Sequence, residues 1–227
     1  MITDLKLLET KIGYTFKDIN YLYIALTHSS YSNEMKINKC DNYERQEFLG
    51  DAILEMVSSE FLFKKHMDLP EGKLTKLRAS LVCEPSLAFC ARELGLDEYI
   101  RLGRGEESTG GRGRDSIISD VFEAVIGAIY LDGGIDAAKD FIYSFVLNNE
   151  EEHMLFYDAK STLQCKVQAK GKQLEYIITS ETGPDHAKCF VVDAIIDGVV
   201  CGTGSGNTKK AAQQAAAVDV LRSNKCI

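Results

Sequence analysis

Apolar residues recur at helical spacing through the first two-thirds of the chain. Leu5, Leu8 and Ile12, then Ile19, Leu22, Tyr23 and Leu26, fall three or four apart, the spacing of one buried helix face. Asp51 to Lys65 continues a strongly amphipathic pattern. Leu74 to Leu94 repeats it, with an interruption at Cys83-Glu84-Pro85, where proline suits a first helical turn. These segments predict an all-α part. The polar and acidic run from Asn148 to Glu152, extending to Tyr157, breaks the periodicity and reads as a helix end and linker.

Beyond the linker the period changes. Asp158 to Gln168 reads as a short helix, and alternating strands follow at Leu174–Ser180, Lys188–Ile196 and Val199–Thr203. Asp197-Gly198 joins the last two as a tight-hairpin signal, because both turn positions need positive φ. A final helix is expected from Lys209 to Leu221. The expected architecture is an all-α domain over residues 1–152 followed by a small α+β (α-β-β-β-α) domain over 158–227.

Within the first part, Glu44-Arg45-Gln46-Glu47-Phe48-Leu49-Gly50-Asp51 places Glu44, Glu47 and Asp51 on one helical stripe. Phe48, Ala52 and Met56 on one side, and Leu49, Ile53 and Val57 on the other, flank it with apolar surface. Stacked carboxylates repel one another, and unpaired buried charge costs several kcal/mol. A cation would neutralise them.

From Ile117 to Leu131 only Asp120 and Glu123 are charged in an otherwise apolar helix. A helix apolar all round is buried, and these two acids, three residues apart, point the same way. Two helices carrying such pairs can face each other across one four-carboxylate pocket. An all-oxygen site suits magnesium, manganese or calcium rather than zinc or copper. Between the two acidic segments, Gly103 to Arg114 is rich in glycine and carries three arginines. It reads either as a flexible connector or as a phosphate-contacting loop.

The formal charge of −8 over 227 residues argues at first against a nucleic-acid partner. The charge is unevenly placed. Before Asp158 there are 17 Lys/Arg against 27 Asp/Glu, net −10; from Asp158 onward there are 9 against 7, net +2. Seven cysteines form no C-x-x-C pair and read as reduced thiols, which together with the lack of a signal peptide predicts a cytoplasmic protein. No apolar stretch approaches a membrane span, so no membrane partner is expected. His28, His66 and His153 are read as structural.

Glu44 to Asp51 resembles the signature motif of the ribonuclease III family, whose common form has leucine where this chain has Gln46. Asp120 to Gly134 is similar to the family's second acidic motif, and Pro70 to Thr75 with Arg78 to Val82 to the segment between. The resemblance continues through the C-terminal part into a double-stranded-RNA-binding domain. It implies a Mg2+-dependent endonuclease of double-stranded RNA, with Mn2+ as a possible substitute. In-line attack by a metal-activated water then yields 5'-phosphate and 3'-hydroxyl products, in rRNA and mRNA processing.

On this reading Glu47, Asp51, Asp120 and Glu123 are the inner metal-binding and catalytic carboxylates, with Asp51 and Glu123 closest to the chemistry. Glu44 and Glu71 are outer acidic supports. The family is homodimeric, and Phe48, beside the acidic stripe, is the candidate dimer anchor. Ser161, Gln164 and Gln168 on one side of the short helix would read the A-form minor groove, whose 2'-hydroxyls and base edges accept short polar groups. His186, in the Gly183-Pro184-Asp185-His186 loop, would enter a minor groove. Lys209 and Lys210 would hold phosphates at a helix N-terminus. Where Asn207 stands, the family often has a further lysine. Two other readings are a non-catalytic double-stranded-RNA-binding regulator and a helical di-iron carboxylate enzyme. The latter wants a Glu-x-x-His from each of two helices, and this chain has only Glu150 to His153.

Overall fold

Two long helices carry the acidic segments, and their contact organises the first part of the chain. In the computed structural model, which describes residues 5–36, 38, 41–148, 159–183 and 188–223, α4 spans Glu44–Lys65 and α8 spans Asp115–Ile142. Around them lie α1 (Leu5–Ile12), α2 (Asn20–Ala25), α3 (Ser29–Glu34), α5 (Glu71–Val82), α6 (Glu84–Leu94) and α7 (Arg104–Ser108). The expected all-α character holds; one isolated parallel bridge, Thr27 to Arg101, is its β element among the described residues.

Local chemistry sets the helix ends. The Glu44 N–H donates to Asn42 Oδ1 at 3.0 Å, and α4 has Glu44 and Glu47 in its first turn and Lys64 and Lys65 in its last, which suits the helix dipole. Proline stands in the first turn of α6, as the Cys83-Glu84-Pro85 break predicted. α8 is broken at Gly134 (φ 82), just after Asp132 accepts bonds from the Tyr14 hydroxyl (2.7 Å) and from the N–H groups of Lys17 and Asp18.

α8 is buried along most of its length, and Phe122, Ile118, Ile126 and Ile129 pack with Leu54, Val57 and Leu62 of α4 in one core. The two helices meet at glycines. A Cβ on Gly50 would lie 1.8 Å from the Glu123 carbonyl oxygen, and one on Gly127 would lie 2.2 Å from that of Gln46. Gln46 is buried there; its Nε2 donates to the Tyr21 carbonyl at 3.2 Å, while its Oε1 has no partner among the described residues.

The two apolar rows that flank the acidic stripe of α4 differ in burial. Ile53 and Val57 are in the core and Leu49 packs against it, but Phe48, Ala52 and Met56 face solvent, so only one of the two flanking rows is buried. The glycine- and arginine-rich stretch is also more ordered than a connector. It forms α7 and a short 3-10 turn at Gly111–Gly113, and Arg112 is spent on Glu107 (2.9 and 2.5 Å) and Arg114 on Glu106 (2.9 Å).

The chain separates into two compact units, Met1–Glu150 and Glu151–Ile227. The second has its own core. It consists of α9 (Ala159–Ala169), a sheet of β1 (Leu174–Thr182), β2 (Cys189–Ile196) and β3 (Val199–Gly206) in the order β1-β2-β3, and α10 (Lys209–Ser223). Both pairings are antiparallel. Asp197 (φ 49) and Gly198 (φ 81) make the hairpin turn as expected. Phe190, Val192, Ala194 and Ile196 alternate inward against Leu163 and Val167 of α9 and Ala212, Ala216 and Val220 of α10. β3 approaches α10 closely through Gly204, where a Cβ would lie 2.1 Å from the Ala216 nitrogen. Cys83, Cys90, Cys165 and Cys189 are free thiols, in the reduced state expected of them.

Candidate metal centre and nucleic-acid interface

The glycine contact between α4 and α8 brings their acids to one place. Glu47 sits one turn before Gly50, and Glu123 is the residue whose carbonyl Gly50 meets. Carboxylate oxygens of Glu47, Asp120 and Glu123 lie within 4.8 Å of one another, all three side chains being half-buried. No histidine or cysteine belongs to this group among the described residues, so its donor set is all oxygen.

Burial makes the cluster expensive to ionise without a cation. The Glu123 carboxyl is pushed up to about 8, first by burial and then by the charges of Asp51, Glu47 and Asp120. Burial also raises Glu47, helped by Asp120, Glu44 and Asp51. Asp120 is raised by burial and by Glu84, against the opposing effect of its hydrogen bond from Tyr43 and of His28. Like charges crowded at this depth need a counter-ion to be ionised together. Three half-buried oxygen ligands from two helices fit a hard divalent cation.

Asp51 and Glu44 lie on the exposed side of the same stripe. Asp51 is outside the three-carboxylate group but supplies the largest like-charge effect on Glu123. Glu44 acts on Glu47 from one turn earlier. Glu71 is not brought to the cluster within this chain: it begins α5 and lines a cavity of about 370 Å3 with Ser59, Glu60 and Phe63, near the other end of α4. Glu84, at the start of α6, is the outer acid that acts on Asp120 instead.

Residues that the sequence did not single out also border the centre. The Tyr43 hydroxyl donates to Asp120 Oδ2 at 3.2 Å, and its own proton is held far more tightly than usual by burial and by the Asp120 charge. His28, read as structural, packs its ring on that of Tyr43 with centroids 5.6 Å apart. Burial lowers the His28 pKa, against the charges of Glu106, Glu44 and Asp120. No spacing rule connects positions 28, 43 and 120, so only the fold reveals this trio.

In the second unit, Ser161 and Gln168 are exposed and Gln164 half-exposed, at i, i+3 and i+7 along α9. Lys209 and Lys210 are exposed in the first turn of α10, beside Asn207, also exposed. Thr208 caps that helix, its Oγ1 accepting from the Ala211 N–H at 3.1 Å. α9 is tied to α10 by Lys160 Nζ to Gln213 Oε1 at 2.6 Å. His186 and its loop neighbours 184–187 lie outside the described residues, as does the linker 149–158.

Comparison with known proteins adds to this geometry. Residues 18–150 match the Ribonuclease-III-like family and residues 159–224 the double-stranded RNA binding motif. The chain is 48% identical over 219 residues to Ribonuclease 3 of Caldanaerobacter subterraneus subsp. tengcongensis, covering 94% of this chain and 95% of that protein. It is 44% identical over 221 residues to Ribonuclease 3 of Staphylococcus aureus, covering 96% and 91%. A solved nuclease domain of ribonuclease III from Campylobacter jejuni, described for flexibility in a region involved in its dimer formation, covers 64% of this chain and 98% of that domain. The two share 44% sequence identity with a TM-score of 0.60. No helix among the described residues is long and apolar enough to cross a membrane. With an acid-bearing helical unit joined to an α-β-β-β-α unit, the chain belongs to the ribonuclease III family of endoribonucleases.

Proposed function

We propose that the protein cleaves double-stranded RNA with a divalent cation, Mg2+ or in its place Mn2+, held by Glu47, Asp51, Asp120 and Glu123. The observation that carries this reading is the half-buried meeting of Glu47, Asp120 and Glu123 within 4.8 Å, with Asp51 acting on Glu123 from the rim. A bound cation of this class polarises a phosphodiester oxygen and lowers the pKa of a coordinated water. The chain's own part is to supply negative oxygens on rigid helices, and Glu123 must give up the proton that burial favours, so ion binding releases a proton. Glu44 and Glu84 add negative potential at the rim.

Ser161, Gln164, Gln168 and His186 serve the duplex minor groove and Lys209 and Lys210 its phosphates, with net charge +2 in this part of the chain. The products carry 5'-phosphate and 3'-hydroxyl ends, and the substrates are rRNA and mRNA precursors. The working form is a homodimer anchored by Phe48. That side chain is 80% exposed and continues along α4 into Met56 (50%) and Phe63 (72%), an apolar stripe rarely left to solvent. Cytoplasmic residence completes the reading; the four free thiols fit a reducing compartment.

The test is a gel assay on a perfect RNA duplex. Cleavage in Mg2+, its loss in chelator and its loss in Glu123→Gln with duplex binding retained support the reading. Near wild-type turnover of that variant in saturating Mg2+ sinks the metal assignment. Duplex binding without cleavage in any divalent ion would favour a regulator, and iron retained through purification a di-iron enzyme.

A further inference from the structure

The acidic centre has its own internal brace. We infer that Tyr43 is a positioning residue for the metal centre, its hydroxyl holding the Asp120 carboxylate in the orientation that meets Glu47 and Glu123. The inference rests on the metal-binding reading of Asp120 given above.

Among the described residues, the Tyr43 hydroxyl is the only side-chain donor to the three clustered carboxylates, at 3.2 Å from Asp120 Oδ2. A carboxylate offers about four lone-pair sites, so this bond leaves Asp120 free to accept elsewhere. Tyr43 immediately precedes Glu44, the first residue of α4, while Asp120 lies on α8. One side chain thus joins the start of one acid-bearing helix to the acid of the other.

The donor is itself held from three sides. Its backbone N–H donates to the Thr27 carbonyl at 2.9 Å, and Thr27 is bridged to Arg101, whose guanidinium donates to Thr27 Oγ1 at 2.7 Å. The His28 ring lies against the Tyr43 ring, and His28 Nδ1 accepts from the Ser30 N–H at 3.1 Å, which fixes the imidazole. The Tyr43 ring is buried. A donor with so little freedom restricts where the Asp120 carboxylate can turn. In metal sites, partners of this kind set ligand orientation, and losing one typically costs roughly 10–100-fold in metal affinity or activity.

Tyr43→Phe keeps the buried ring and deletes only the hydroxyl. Tyr14→Phe is the control, because it removes a comparable hydroxyl-to-carboxylate bond, 2.7 Å to Asp132, away from the acidic cluster. Mn2+ binding to the full chain without RNA, measured by calorimetry, should weaken about tenfold in Tyr43→Phe. It should stay at the wild-type value in Tyr14→Phe. Half-maximal cleavage should require correspondingly more Mg2+ in Tyr43→Phe, with duplex affinity in chelator unchanged. If Asp120→Asn loses Mn2+ while Tyr43→Phe binds it as the wild type does, the positioning role is overturned and the metal centre stands. If Asp120→Asn binds Mn2+ like the wild type, the metal-centre reading fails and this inference falls with it.

Discussion

Gly50 lies against the backbone carbonyl of Glu123, so close that a Cβ at position 50 would stand 1.8 Å from that oxygen. Gly127 makes the reciprocal approach to Gln46 one turn further along α8. With any larger residue at these two positions α4 and α8 could not cross at backbone contact, the crossing at which Glu47 meets Asp120 and Glu123.

Gly50→Ala should therefore act on stability and on the centre together. Its methyl meets backbone rather than a movable side chain, so overpacking should cost about 3 kcal/mol. A urea titration should show the midpoint falling at similar slope, with cleavage lost in parallel. An unchanged midpoint would mean the helices can part at no cost.

Glu123 predicts a pH dependence in the absence of metal. Its folded pKa of about 8 lies above the ordinary 4.5, so the folded state favours the protonated acid. That contribution is complete below about pH 4.5 and is lost as pH rises through about 8. In chelator the melting temperature of the wild type should drop between pH 5 and 8, while Glu123→Gln should give a flatter curve. Mg2+ should remove most of the wild-type slope. Parallel curves for the two proteins in chelator would contradict the burial argument.

A chain ending at Glu150 keeps the whole first core and the acidic cluster. It should bind duplex RNA weakly and cut it mainly at low salt, where phosphate contacts are least screened. Filter binding at several salt concentrations checks this; full affinity would show that the second unit is not the main grip.

Replacing Lys209 and Lys210 with alanine should lower affinity for all duplex sequences alike and reduce the salt slope by about one unit for each phosphate no longer neutralised. Ser161→Ala with Gln164→Ala should weaken binding with the slope unchanged, since neither group is charged. Equal slopes in the lysine variant and the wild type would remove phosphate binding from the role of these lysines.

Phe48→Glu places a charge at the start of the exposed apolar stripe of α4. The variant should sediment as a monomer at concentrations where the wild type is dimeric, with its helical content preserved because Phe48 is 80% exposed in the single chain. A dimer of undiminished strength would move the interface elsewhere.

Periodicity and turn chemistry were enough to read most of the fold. Helical spacing marked α4, α5, α6 and α8, the Pro85 break separated two of them, and Asp197-Gly198 placed the hairpin turn between Ile196 and Val199, where it is observed, although β3 runs on to Gly206 rather than ending at Thr203. These features are local: each depends on side chains a few positions apart and on backbone angles that only some residues adopt. The acidic stripes were legible for the same reason, because charged residues in apolar helices stand out one segment at a time. Tertiary structure alone decided how the stripes combine. The glycine crossing selected Glu47, Asp120 and Glu123 as the close set and left Asp51 at the rim. The packing of α5 on α4 carried Glu71 toward Phe63, and the start of α6 put Glu84 within reach of Asp120. Tyr43 and His28 joined the site through a bridge between Thr27 and Arg101, residues 74 positions apart, whose pairing no periodicity encodes.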